Sequence, residues 1–176
     1  LPAEGPMVVR TRSSFEEHEY EAIISPRENV VSAKIPRALK PSTILLKHQD
    51  AGLSWLVDCY NKGLPGGLMA DDMGLGKTLQ ALVFMAALKE QVLHRESKPL
   101  LIIAPTGLLN NWLKEIEDHL LDGALGKITK AYGSSLKSLK TGRGRDTDFG
   151  VSLLDVDRLR AADVVLTTYE TQRDYQ

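Results

Sequence analysis

The residues Gly74-Leu75-Gly76-Lys77-Thr78 are of the types, and in the order, that hold a polyphosphate. Two glycines let the chain turn sharply and bring backbone N–H groups close to an anion, because no Cβ blocks the approach. Lys77 supplies a cation for β- and γ-phosphates, and Thr78 supplies a hydroxyl for Mg²⁺. A helix opening here would add the positive end of its dipole. The candidate nucleotide-binding run is therefore Asp72, Met73, Gly74, Leu75, Gly76, Lys77, Thr78 and Leu79. Lys77 and Thr78 carry the chemistry. The strict phosphate-loop pattern G-x-x-x-x-G-K-[ST] would place its first Gly where this chain has Asp71. A dinucleotide fingerprint is excluded, since its third Gly would fall on Leu79.

Such a loop needs a strand before it and a helix after it. The short apolar run Gly67 to Ala70 predicts the strand, and Leu79 to Leu88 predicts the helix, apolar on nearly every side and so buried on several. Upstream, Leu53, Leu56, Val57 and Tyr60 recur at i, i+3, i+4 and i+7, one face of another helix. Gly63 stands past its end and Pro65 follows. Gln49 lies at its head. It is either an exposed first-turn residue or an amide that pairs with N6 and N7 of adenine.

Downstream, Leu100 to Ala104 is a continuous apolar run, expected as a parallel strand covered on both faces. Pro105-Thr106-Gly107 ends it. Leu109, Trp112, Leu113, Ile116 and Leu120 then follow helical spacing, with Trp112 a core residue. Lys127 to Ala131 predicts a short strand, Ser152 to Arg160 a helix, and Ala162 to Tyr169 a buried strand ending in a polar turn. This alternation implies βαβ crossovers and a parallel sheet.

Residues 1–41 hold five prolines and two candidate strands, Met7 to Thr11 and Tyr20 to Ile24. They are expected to flank or link, or to end a preceding domain. The polar stretch Gly133 to Gly150 carries Lys137, Lys140, Arg143 and Arg145. It is either a surface insertion or a basic lip for phosphate backbone.

Composition narrows the class. The chain has 176 residues, 43% hydrophobic and 26% charged, with a net charge of −1, so no global basic field advertises nucleic acid. A single cysteine, Cys59, rules out a disulfide framework within the chain and suits a reducing, intracellular setting. The four histidines lie outside metal-ligand spacing of one another and of Cys59. No apolar run reaches the ~18 residues of a membrane span. The chain begins at Leu1 rather than at Met, as a piece of a longer protein would.

Taken together, L-K-H-Q-D-A-G-L-S-W-L (46–56), D-D-M-G-L-G-K-T (71–78), I-I-A-P-T-G-L-L-N-N-W (102–112) and D-V-V-L-T-T-Y-E-T (163–171) resemble the Swi/Snf-type helicase-like ATPases of superfamily two. The family's own form of the phosphate loop accounts for Asp71. The resemblance implies an α/β P-loop NTPase fold: a RecA-like parallel sheet with flanking helices, here an incomplete first lobe over residues 42–176. It implies ATP and Mg²⁺ as cofactors, hydrolysis stimulated by double-stranded DNA, and translocation that remodels protein–DNA complexes. By motif position Gln49 senses adenine, while Thr106, Gly107, Thr167, Thr168 and Tyr169 meet DNA phosphates without reading sequence.

The family's catalytic acid pair and second lobe are expected beyond Gln176, with Asp155 an ordinary helix residue. The chain alone is then expected to bind nucleotide weakly and not to turn it over. The last strand is expected to leave an open edge, so self-association would reflect truncation. The location would be cytoplasmic in a bacterium and nuclear in a eukaryote. Two alternatives stay open: the motor subunit of a restriction-type or other superfamily-two helicase, and a non-catalytic nucleotide-binding module.

Overall fold

The computed structural model describes residues 7–12, 19–93, 99–140 and 154–175. Strands β1 (Met7–Arg12) and β2 (Glu19–Ile24) pair antiparallel. Helices α1 (Lys47–Asn61) and α2 (Lys77–Gln91) follow. Then come β3 (Leu100–Ile103), a 3₁₀ turn over Thr106–Leu108, α3 (Leu109–His119) and β4 (Ile128–Ala131). The described chain closes with α4 (Leu136–Leu139), α5 (Val156–Arg160), β5 (Val164–Thr167) and α6 (Tyr169–Asp174).

The second sheet has the order β3-β5-β4, and both pairings are parallel. Leu100 and Ile128 both stand level with Val164, and Ile103 and Ala131 with Thr167. The carboxyl ends of all three strands therefore form one edge. β5 is buried along its whole length because both its faces are covered, Val164 and Leu166 by one apolar cluster and Val165 by another.

The apolar faces read from the sequence build the core. Leu53 and Val57 of α1 pack with Leu79, Leu82, Val83, Ala86 and Ala87 of α2, and with Ile102, Leu109, Leu120, Val164 and Leu166. Trp112 is half-buried against this cluster. The flank joins it too. Val31 and Leu39 are core residues. Two side-chain amides grip the flank's backbone. Asn61 exchanges a pair of 2.8 Å hydrogen bonds with Val31, and Gln91 accepts from the Ser32 N–H at 2.7 Å while donating to the Ser32 carbonyl at 3.1 Å.

Four expectations need correcting. The run Gly67 to Ala70 forms no strand; among the described residues no strand lies alongside to take its hydrogen bonds, and Leu68 is 86% exposed. β3 is not covered on both faces: Ile102 is buried on one and Leu101 is 57% exposed on the other. The last strand, β5, inserts between β3 and β4, so among the described residues the sheet's edges are those two strands. The helix expected from Ser152 begins at Val156. Leu154 instead bridges to Lys140, and Asp155 caps α5, its Oδ1 accepting from the Arg158 N–H at 3.0 Å.

Candidate nucleotide-binding site

The loop turns where the sequence requires. Gly74 and Gly76 hold φ values of +89° and +76°, in the left-handed region that favours glycine. Gly76 is the N-cap of α2, with no side-chain cap and no acidic residue in the first turn, so the helix end keeps unsatisfied N–H groups and an uncompensated positive dipole. A Cβ at Gly74 would meet nothing within 4 Å. The loop therefore offers donors on an open side, the arrangement an anion needs.

An ion pair anchors the helix that this loop feeds. Lys89, near the far end of α2, is paired with Asp163, the residue before β5. Asp163 also accepts from the Lys127 N–H at 2.8 Å, and its carbonyl accepts from the Leu100 N–H at 2.9 Å. The Lys89 hydrogen bond first, and then the Lys127 N–H, hold its carboxyl below the usual carboxylate range. The C-terminal end of α2 is thus pinned where the strands begin. The helix has 15 residues, about 22 Å at 1.5 Å per residue, long enough to carry its head past the strands' carboxyl ends if it runs back along them. That edge is where open α/β sheets bind ligands.

Lys77 reaches back over the loop, its Nζ donating to the carbonyls of Asp71 at 2.5 Å and Asp72 at 2.8 Å. Thr78 lies half-buried in the first turn of α2. Asp72 and Met73 are exposed, Met73 almost fully, whereas the Leu79 side chain is buried in the core and leaves only its backbone for a ligand. Among the described residues no cluster of three or more His, Cys, Asp or Glu could hold a metal. Thr78 is the hydroxyl that the sequence offers to Mg²⁺, an ion that takes few protein ligands beside phosphate oxygens and water.

Gln49 is buried, and its amide is engaged within the protein. Oε1 accepts from the Leu46 N–H at 3.0 Å, one half of a capping box, and Nε2 donates to the Leu75 carbonyl at 3.4 Å. Two residues given no site role by spacing meet it there: His48 Nε2 lies 3.1 Å from the same carbonyl, and Gln80 Nε2 donates to it at 3.3 Å. The signal for Gln80 was its polarity at an otherwise apolar, buried helix position. Beside them His48, Gly52, Trp55, Leu68, Asp71 and Leu75 line a cavity of about 350 Å³.

The candidate DNA-contacting residues share the same edge. The Ala104 N–H donates to the Thr167 carbonyl at 3.1 Å, so the segments after β3 and β5 leave the sheet side by side. Thr106, Gly107 and Tyr169 are exposed. Thr167 and Thr168 are buried, with hydroxyls committed to the Ala131 carbonyl at 2.7 Å and to Thr171 at 3.1 Å. Lys137 and Lys140 of the basic stretch are exposed, while Arg143 and Arg145 lie outside the described residues.

These features define the class: part of a RecA-like α/β lobe. The chain resembles a solved structure described as "Sulfolobus solfataricus SWI2/SNF2 ATPase core in complex with dsDNA", with a TM-score of 0.50 and 27% identity, covering 78% of this chain and 24% of that one. The profile of the SNF2-related domain matches residues 48–176, and the chain belongs to that family.

Zorya protein ZorD of Escherichia coli is 33% identical over 182 aligned residues, 96% of this chain and 16% of that protein. Chromatin-remodeling ATPase INO80 of Arabidopsis thaliana is 50% identical over 72 residues, 41% of this chain and 5% of that protein. The chain thus spans a small part of the length of these relatives. No helix among the described residues is long and apolar enough to cross a membrane.

Proposed function

We propose that this chain is the nucleotide-binding wall of an ATP-dependent motor that tracks double-stranded DNA and remodels protein–DNA complexes. The observation that carries the reading is the Gly74–Gly76 turn at the uncapped head of α2, in a lobe whose strands end in two exposed turns. The exposed Thr106-Gly107 turn and the exposed Tyr169 lie at the strands' carboxyl ends, and the reading brings the Gly74–Thr78 loop to the same end. Phosphate chemistry at the loop and backbone contact at the two turns are then neighbours, as a motor coupling one to the other requires. Membership of the SNF2-related family supports the same reading, as does the dsDNA named for the Sulfolobus structure.

In this reading the first-turn amides of α2 and Lys77 hold the phosphates of ATP, Lys77 exchanging the Asp71 and Asp72 carbonyls for phosphate oxygens. Thr78 orients Mg²⁺, and Gln49 trades its long bond to Leu75 for the adenine edge. ATP and Mg²⁺ supply the cleavable phosphoanhydride and the charge neutralisation. Contact from the strand after β5 falls to Tyr169 and to backbone N–H groups, since the Thr167 and Thr168 hydroxyls are occupied. The acid pair that activates water and the second lobe belong to other parts of the protein, so the chain alone binds nucleotide weakly and does not turn it over. Residues 1–41 act as a flank pinned at Val31 and Leu39, and 42–176 as the lobe. The location is intracellular.

The full-length protein, given ATP and a duplex carrying a third strand, is expected to displace that third strand without separating the duplex. Efficient separation of the duplex strands would favour a conventional helicase instead.

A further inference from the structure

Leu75 stands between two left-handed glycines, and its carbonyl is the point on which His48, Gln49 and Gln80 converge. A trans peptide is planar, with its N–H opposite its C=O. Drawing the Leu75 carbonyl inward toward α1 and α2 therefore turns the Gly76 N–H outward, to the loop's open side. Left-handed glycines on both flanks make this peptide easy to rotate, so something must hold it.

Gln80 is the best placed of the three. It is 0% exposed, on the first turns of the helix that the loop feeds, and a buried amide keeps its geometry where an exposed one would not. Its Oε1 has no hydrogen-bond partner among the described residues. Burying that oxygen costs stability, so packing alone would favour an apolar side chain at this position. The seat is reserved from the other side as well: a Cβ on Gly52 of α1 would stand 1.8 Å from Gln80 Oε1 and 2.9 Å from its Cδ. A glycine in the interior of a 15-residue helix is itself unfavourable. Two locally costly choices, a buried amide and a mid-helix glycine, meet at one contact.

We propose that Gln80 is a positioning residue for nucleotide binding, which orients the Gly76 N–H by holding the Leu75 carbonyl from a seat that Gly52 leaves open. The proposal rests on the loop being the nucleotide site, and Gln80 itself touches no ligand.

The test measures affinity of the full-length protein for a fluorescent ATP analogue, with thermal unfolding beside it. Gln80→Met keeps the volume and removes the donor. It is expected to leave the unfolding midpoint unchanged or raised and to weaken binding about tenfold, the scale of one hydrogen bond. Gly52→Ala is expected to weaken binding similarly when Gln80 is present and to have no effect in a Gln80→Ala background, where the added methyl has room. That non-additivity is the signature of a direct contact.

Gln80→Met binding like the wild type, or Gly52→Ala acting equally in both backgrounds, would overturn the positioning role. Lys77→Ala separates the two levels. If it abolishes binding while Gln80→Met does not alter it, the positioning role alone falls. If Lys77→Ala leaves binding intact, the loop is not the nucleotide site and the proposal falls with it.

Discussion

Lys77 and Gln49 show how a residue's type can be read from sequence while its partners cannot. The spacing G-x-G-K-T marks Lys77 as a cation facing the loop, and it does face the loop, through the carbonyls of Asp71 and Asp72. Gln49 is an amide at a helix head with two readings in the sequence. The fold gives it a third task, capping α1 through the Leu46 N–H. Gln49→Ala is therefore expected to lower stability by about 1 kcal/mol, as removal of an N-terminal cap does. If the amide also reads N6 and N7, the variant loses its preference for ATP over GTP. Nucleotide competition measurements check this, and an unchanged ATP-to-GTP ratio would leave Gln49 as a cap alone. Thr167 and Thr168 are legible as residues at a strand end, but their burial is not. It arises from β4, whose Ala131 carbonyl takes the Thr167 hydroxyl, and from the cap of α6. The β4 partner is distant in sequence, and the cap depends on where α6 begins.

At the scale of elements, periodic apolar faces carry most of the information. Helices α1, α2 and α3 and strands β3, β4 and β5 stand near their expected positions because each shows its core face in the sequence. What periodicity cannot supply is an element's neighbours. β3 reads as doubly covered because its residues are apolar throughout, yet one of its faces is bare and leaves Leu101 exposed. Gly67 to Ala70 reads as a strand, but a strand needs a neighbour and this run has none among the described residues.

The α2 core face gives a direct check. Leu82 is 0% exposed, and Leu82→Ala is expected to cost about 2–5 kcal/mol in denaturant unfolding. The clasp at the other end of α2 is electrostatic. Asp163 has its carboxyl lowered by Lys89 and the Lys127 N–H. A lowered carboxyl stabilises the fold above the unfolded pKa of about 3.9, and that contribution is lost as pH falls through the folded value. Asp163→Asn should therefore cost about 1 kcal/mol at neutral pH, solvent screening keeping it small with the side chain 41% exposed. It should also flatten the decline of stability below about pH 4. Thermal unfolding between about pH 2 and pH 7 would show an unchanged acid slope if the clasp contributes nothing.

For the whole molecule the proposed function requires one lobe to serve two polyanions. A net charge of −1 gives no general attraction, so in this reading DNA would meet local groups. Lys137 and Lys140 are exposed next to a stretch that continues to Arg143 and Arg145. Neutralising all four is expected to reduce the dependence of DNA affinity on salt, by about one unit of log–log slope for each phosphate deprived of its cation. An unchanged slope would make the stretch a surface insertion.

The central claim is that the Gly74–Thr78 loop drives a duplex-responsive motor. The most direct test is ATP hydrolysis by the full-length protein with and without double-stranded DNA, for the wild type and for Lys77→Ala. The account predicts strong stimulation by duplex in the wild type and no turnover in the variant. Turnover indifferent to duplex, or near-normal turnover in Lys77→Ala, would contradict it.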